Sequence, residues 1–403
     1  MMEPALTGTL AAASAPARSA ARQELGQAQW VGIADEPGQA AWRAAFARYT
    51  PTDLGSHPEW CASIEATYPG SMHLVVVRWA EQDAAVPVIV KPVELDCQIG
   101  EVRLLPLRPR VLQLSGMQLG LPEDERAYTA FFRALLANRK RWHALNFAVP
   151  AGSFLEMFLE RSPLCRGALR RWQPGPAAEH HLIELPPTFE EYASKFTAKT
   201  RKNRNREVRI LEQRGRLELA CFRRPDQVDA FLQEAGAISE RSYQHRMLGA
   251  GLRQPVHLRE RLRTAAAQGW LRAYVLRCGG ATCSYLLGYQ FRGRYYYSKV
   301  GYDPAWTPLC VGTVLQWLVL QDLYREDTPT VFDFGGAGRQ MQYFGNRSYL
   351  ESNVYYFRPG AYSVLVRGSH AAARCLAKPA VALLDRYALK PRLRSWLRRL
   401  RGC

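Results

Sequence analysis

Between Tyr295 and Tyr343 the hydrophobic period of the chain changes from two to about 3.6 and back, which restricts the fold to one built from both strands and helices. Residues 295–300 (YYYSKV) alternate as a strand does, and Gly301-Tyr302-Asp303-Pro304 stops them. Thr307-Pro308-Leu309-Cys310-Val311-Gly312-Thr313 leads into an apolar run, residues 314–323, that has no acid before Asp322 and reads as a helix. A second strand follows at residues 330–334 and closes on Asp333-Phe334-Gly335-Gly336. A helix opened by a glycine turn leaves backbone N–H groups unpaired at the positive end of its dipole. Val311, Gly312 and Thr313 therefore stand as candidates to hold a phosphate, against the plainer reading of a simple turn.

The same order occurs earlier in the chain. Residues 41–49 read as a short helix. Residues 73–79 and 85–90 read as a strand pair, 102–107 and 111–116 as its continuation, 126–137 as an amphipathic helix with Phe131, Phe132, Leu135 and Leu136 inward, and 143–149 as a returning strand. In the second half three strands at 271–276, 284–289 and 295–300 precede the helix and the strand at 330–334. Strands, helix, strand in both halves imply two copies of one mixed α/β unit. The expected divisions are a disordered Ala/Ser/Gly-rich segment at 1–29, a first unit at 30–184, a second at 185–360 and a basic helical tail at 361–403. The copies differ where the helix begins. Glu123-Asp124-Glu125 would repel a phosphate in the first, so only the second is expected to bind an anion.

Charge is concentrated. Of the net +18, residues 195–216 carry +7 and residues 361–403 carry +9, so the remainder is nearly neutral and the chain is not a uniformly cationic nucleic-acid coat. Within the first basic segment, Phe189, Tyr192 and Phe196 anchor a helix, but from Thr197 to Glu207 only Ala198 is apolar. Such a helix is either solvated on all sides or turned toward an anion. In the tail, Leu393, Trp396, Leu397 and Leu400 oppose Arg392, Arg394, Arg398, Arg399 and Arg401, the pattern of a helix lying on an anionic membrane or docked on its own protein. The nine cysteines are scattered without a CxxC pair and the eight histidines form no HExxH, so neither a disulfide scaffold nor a metal centre is expected. No signal-peptide core or membrane span is read, and the expected location is the cytoplasm, with peripheral membrane contact left open.

The succession YYYSKVGYDPAW, CVGT opening a helix, VFDFGG and FGNRS, with ISERSYQHRMLGAGL and the basic segment near Arg201 upstream, resembles the C-terminal domain of the GNAT-fold acyltransferases of the CelD/BcsL (cellulose biosynthesis) group, relatives of the Fem-type aminoacyl transferases. The likeness spans roughly residues 185–360. It implies tandem GNAT-like units in which two strands splay to admit the pantetheine arm of an acyl-CoA such as acetyl-CoA. The pyrophosphate would rest on the N–H groups of Val311, Gly312 and Thr313, and N–H groups near Val300 and Gly301 would stabilise the thioester oxyanion. Asp333 is the candidate base and Tyr343 the candidate acid, with Lys199, Arg201, Lys299, Tyr302 and Gln342 placed around the substrates. The implied acceptor is an amino group on a sugar, a lipid-linked glycan or a similar envelope precursor. Many relatives carry a Tyr-Lys pair where this chain reads Gln340-Met341-Gln342-Tyr343, and the proline before the helix glycine is displaced to Pro308. Two alternatives stay open: a Fem-type transferase using aminoacyl-tRNA, and a non-catalytic module that binds RNA or anionic lipid.

Overall fold

The structure is a computed structural model that describes residues 27–33, 36, 40, 42–44, 53–79, 82–95, 98–99, 102–103, 107–241, 252 and 256–386. In chain order its elements are β1 (Gln27–Gly32), α1 (Pro58–Thr67), β2 (Met72–Trp79), β3 (Gln82–Pro92), β4 (Gln98–Ile99), β5 (Val102–Arg103), β6 (Arg110–Leu114), α2 (Glu125–Ala137) and β7 (Ala144–Pro150). These are followed by α3 (Phe154–Arg161), α4 (Pro163–Ala168), β8 (Arg170–Trp172), β9 (Ala178–Glu184), α5 (Phe189–Ser194), α6 (Ala198–Arg214), β10 (Leu217–Phe222), α7 (Val228–Arg241) and α8 (Val256–Ala267). The rest are β11 (Ala273–Cys278), β12 (Ala281–Phe291), β13 (Arg294–Tyr302), α9 (Val311–Leu323), β14 (Val331–Asp333), α10 (Arg339–Phe344), β15 (Arg347–Phe357) and α11 (Ala361–Arg386).

One mixed sheet runs through the molecule in the order β1-β2-β3-β6-β7-β15-β9-β14-β13-β12-β11-β10, with β8 added beside the end of β15. Read from either end the order has the same form. Each half is an antiparallel series that finishes in a strand–helix–parallel strand crossover, β6–α2–β7 in the first and β13–α9–β14 in the second. The expected repeat of arrangement is present, and the fold class is mixed α/β.

The junction departs from the expected boundary at 184/185. β9, which ends the first expected unit, pairs with β14 of the second, and β15, which ends the second, pairs with β7 of the first. The two exchanged strands also pair with each other, from Arg347↔Leu182 to Glu351↔Ala178. A strand leaving either crossover finds its own unit's edge already taken by the partner's closing strand, so the two copies share one ladder. Three smaller expectations are corrected as well. Gln27–Gln29 belong to β1, paired with Val76–Arg78, so order begins before Trp30. Val102 and Arg103 form a strand in a separate hairpin with β4 rather than in the main sheet, and residues 104–106 lie outside the described residues. The tail is helical from Ala361 to Arg386, while the Leu393–Leu400 pattern and residues 1–26 lie outside the described residues.

The helices form where the apolar pattern permits. Asp124 caps α2 by accepting the Arg126 N–H at 2.8 Å, and α2 buries Tyr128, Phe131, Phe132 and Leu135 in the core of the first half. In the second half α5 and α9 cover one face of the sheet and α7 and α8 the other, where Leu54 and Trp60 of the first half complete the core. α9 is buried on several sides, from Val314 and Leu315 to Leu323. α6 is the opposite case: over its seventeen residues only Leu211 is buried. No helix among the described residues is long and apolar enough to cross a membrane.

Candidate active site

β13 and β14 pair in parallel only from Arg294↔Val331 to Tyr296↔Asp333. Beyond that point β13 continues to Tyr302, while the chain after Asp333 turns away through Gly335, whose φ of +68° favours glycine. A wedge opens between the strands. The Asp303 N–H donates to Cys283 O at 2.9 Å, and Gly301 lies opposite Tyr285, which fixes the alternation of the β12–β13 ladder. The Gly301 N–H then points at β12, and the N–H groups of Val300 and Tyr302 point to the open edge. Of the two residues expected to supply an oxyanion donor, Val300 turns its N–H to the open edge and Gly301 turns its N–H to β12. A register shift between Leu287 and Gly288 skips Ser298 and adds a bulge beside the wedge.

The N-terminus of α9 is built differently from the expected glycine turn. Cys310, at φ +52°, makes the left-handed reversal, and Gly312 sits inside the first helical turn. Cys310 O accepts the N–H groups of Thr313 at 2.9 Å and Val314 at 3.0 Å. Thr313 is thereby spent within the turn, whereas Val311 and Gly312, the first two residues of α9, have no acceptor for their N–H groups within the helix. No side chain caps this end and no acid lies in its first turn, in contrast to α2, whose end Asp124 closes. A Cβ built on Gly312 would lie 3.6 Å from the Tyr302 ring, and Gln340 Nε2 donates to Gly312 O at 3.4 Å. The end of β13, the start of α9 and α10 thus meet at one place.

Asp333 stands at the apex of the wedge, but it is not a free carboxylate. It is 1% exposed; its Oδ1 accepts His180 Nε2–H and the Gly335 N–H, each at 2.7 Å, and its Oδ2 pairs with Arg294. Burial would push its carboxyl up, yet His180, Gly335 and Arg294 outweigh burial and hold it below the ordinary value. His180 also reaches Glu351 across β15 at 3.3 Å and stacks on Tyr349 with centroids 4.8 Å apart. Burial opposes the imidazolium, but the two carboxylates raise His180 to about 9. Asp333, the candidate base, is thus placed as a buried carboxylate already bonded to two cations rather than as a free one at the open mouth of the wedge. His180 was missed because it lies 153 residues from Asp333 in sequence and only strand exchange brings it there.

The remaining candidates divide. Tyr343 is 39% exposed on α10, one turn beyond Gln340 and on the same face, with the Arg204 guanidinium 5.8 Å from its ring centroid. Gln342 projects from the opposite face of α10, so Gln340, not Gln342, is the glutamine that touches α9. Arg201 is occupied in closing α5, donating to Phe196 O at 2.7 Å, while Lys199, Lys299 and Tyr302 are exposed. Lys195, also unforeseen, donates to Phe344 O at 2.7 Å and to Tyr343 O at 3.2 Å; burial lowers its ammonium to about 8. Among the described residues no group of histidine, cysteine and carboxylate side chains could hold a metal ion.

Residues 198–346, from α6 to the turn before β15, match the model of the acetyltransferase (GNAT) domain. The chain carries a GNAT-type acyltransferase domain. The described wedge and the uncapped α9 both fall inside this GNAT segment, while β9 and β15, which close its sheet, fall outside it. Of solved structures, FemX superposes on the chain with a TM-score of 0.54 at 10% identity, covering 81% of this chain and 97% of that one, a likeness of fold. A tandem GNAT protein from the clavulanic acid biosynthesis pathway matches with a TM-score of 0.46 at 14% identity, over 83% and 99% of the two chains. The C-terminal domain of a putative lysylphosphatidylglycerol synthetase from Agrobacterium fabrum matches with 0.46 at 10% identity, over 82% and 96%. No curated protein matches the chain.

Proposed function

We propose that the second half transfers an acyl group, acetyl in the simplest case, from acyl-CoA to an amino group of a sugar or of a cell-envelope or exopolysaccharide precursor. The observation that carries this reading is the junction of the uncapped α9 N-terminus, whose first N–H groups have no acceptor within the helix, with the open edge of β13. Val311 and Gly312 N–H receive the pyrophosphate, and the wedge admits the extended arm as an added strand would be admitted. Val300 N–H donates to the thioester oxygen as negative charge develops there. The acceptor nitrogen forms its bond to the acyl carbon as the carbon–sulfur bond breaks, and Tyr343 donates its proton to the departing thiolate. With Asp333 committed to His180 and Arg294, the ammonium proton leaves to water at the exposed mouth near Lys299 and Tyr302. The acceptor class rests on the sequence resemblance to the CelD/BcsL group.

Calorimetric titration with acetyl-CoA tests the donor site. Gly312→Ala is expected to bind like the natural protein, because its Cβ meets the Tyr302 ring at ordinary contact distance. Gly312→Glu sets a carboxylate against the pyrophosphate and is expected to weaken binding about 100-fold, less at high salt. Unchanged binding in Gly312→Glu, or none by the natural protein, would overturn the assignment.

A Fem-type transfer from aminoacyl-tRNA is the second reading, favoured by the exposed Lys199, Lys202 and Arg206 on α6, the last of which shares a cavity with Cys310. Competition between acetyl-CoA and charged tRNA separates the two. Peripheral attachment through the tail belongs to either reading: Val364 and Leu365 of α11 are 68% and 54% exposed. Sedimentation with anionic but not zwitterionic vesicles, lost on truncation after Arg386, is the expected result; equal recovery on both would count against it.

A further inference from the structure

A cavity of about 290 Å³ lies between α6 and the turn that leads into α9, lined by Arg206, Glu207 and Ile210 on one side and Pro308, Leu309 and Cys310 on the other. We propose that this cavity is a purine-nucleotide subsite, holding the adenine of the acyl donor between Ile210 and the Pro308–Leu309 wall with its amino group on Glu207 and an adjoining phosphate on Arg206. The inference rests on the acyl-CoA reading and extends it to the nucleotide end.

Position argues for it first. Cys310 both lines the cavity and precedes the uncapped first turn of α9, so a base in the cavity and a pyrophosphate on the helix are neighbours along one ligand. Size limits the occupant: the cavity is at the bottom of the ~300–1,000 Å³ range of small-molecule sites, room for a base and not for a whole dinucleotide. Its walls then select among bases. Ile210, Pro308 and Leu309 offer apolar surface to a flat ring. Glu207 Oε2 is shut off from solvent and forms an ion pair with Arg204 Nη1 at 2.7 Å, which leaves the carboxylate room to accept one further donor from the cavity. Burial accordingly pushes the Glu207 carboxyl up while Arg204 pulls it down. The exocyclic amino group of adenine supplies such a donor; the oxygen of hypoxanthine at the same position does not. Arg206 is exposed and has no carboxylate partner among the described residues, which leaves its fork available to a phosphate.

Two measurements on the full chain test the subsite. The first is titration with acetyl-CoA, with its hypoxanthine analogue and with acetyl-pantetheine. Acetyl-CoA is expected to bind about tenfold more tightly than the hypoxanthine analogue, a preference lost in Glu207→Ala, and Arg206→Ala is expected to weaken acetyl-CoA but not acetyl-pantetheine. The second does not depend on a variant folding: alkylation of the exposed Cys310, followed by peptide mass spectrometry, is expected to slow about tenfold with adenosine 3′,5′-bisphosphate. The exposed Cys375 on α11 serves as the unprotected control. Acetyl-CoA binding with no base preference and no protection of Cys310 overturns the subsite and leaves the acyltransferase reading standing. Protection by the nucleotide without binding of any acyl-CoA keeps the subsite and overturns the donor, and charged tRNA, which also ends in adenosine, is then the arm that binds.

Discussion

Asp333→Ala is expected to destabilise the protein by about 3–5 kcal/mol, the cost of stranding buried cations without their counter-charge. The carboxylate bonds to His180 from β9 and to Arg294 from β13, and His180 in turn bonds to Glu351 on β15. One acid therefore ties together the four strands at the centre of the shared sheet. The same cluster sets a pH dependence. His180 is raised from its ordinary value near 6.5 to about 9 in the folded state, so its contribution is complete below pH 6.5 and disappears as pH rises through 9. Asp333 is lowered, so its contribution is present above its unfolded value near 3.8 and is lost as pH falls below that through the folded value. The cluster is fully effective between about pH 4 and 6.5. Thermal unfolding at intervals from pH 5 to 9.5 should show the natural protein losing stability toward the alkaline end and Asp333→Ala losing much less. Parallel profiles would show that His180 does not carry its charge on account of Asp333.

The second large effect is expected at Gly288. A Cβ there would lie 2.0 Å from Tyr295 Oη and 2.3 Å from its Cζ, and Tyr295 is wholly buried with its hydroxyl donated to Arg272 O at 2.9 Å. Neither ring nor backbone has room to retreat. Gly288→Ala is expected to cost about 3 kcal/mol, the upper end for overpacking a full core. Gly301 repeats the arrangement on the other face, its Cβ position 2.4 Å from the Tyr285 ring. Urea unfolding of Gly288→Ala, Tyr295→Val and the double variant decides the cause: if the ring is the obstacle, the double variant is more stable than the sum of the single losses requires. Strict additivity would mean that the glycine is needed for some other reason.

Much of this architecture is legible locally. Alternation in YYYSKV, the apolar run ending at Leu323 and the amphipathic 126–137 segment each specify an element through side-chain period alone, and the order of those elements selects a mixed α/β fold. The contrast between an acid-capped α2 and an uncapped α9 was also local, because a helix end is satisfied by residues within one turn of it. What the sequence determined by itself is therefore the set of elements, their repetition and which helix end is left without an acid or a side-chain cap. The tertiary structure decided which strand closes which half, since the pairing of β15 with β7 and of β9 with β14 joins segments about two hundred and a hundred and fifty residues apart. Through that exchange it turned Asp333 from a candidate base into the centre of a buried ion cluster, and it set Gln340 rather than Gln342 against Gly312. Backbone pairing and charge desolvation depend on which surfaces meet in space, and no local period encodes that meeting.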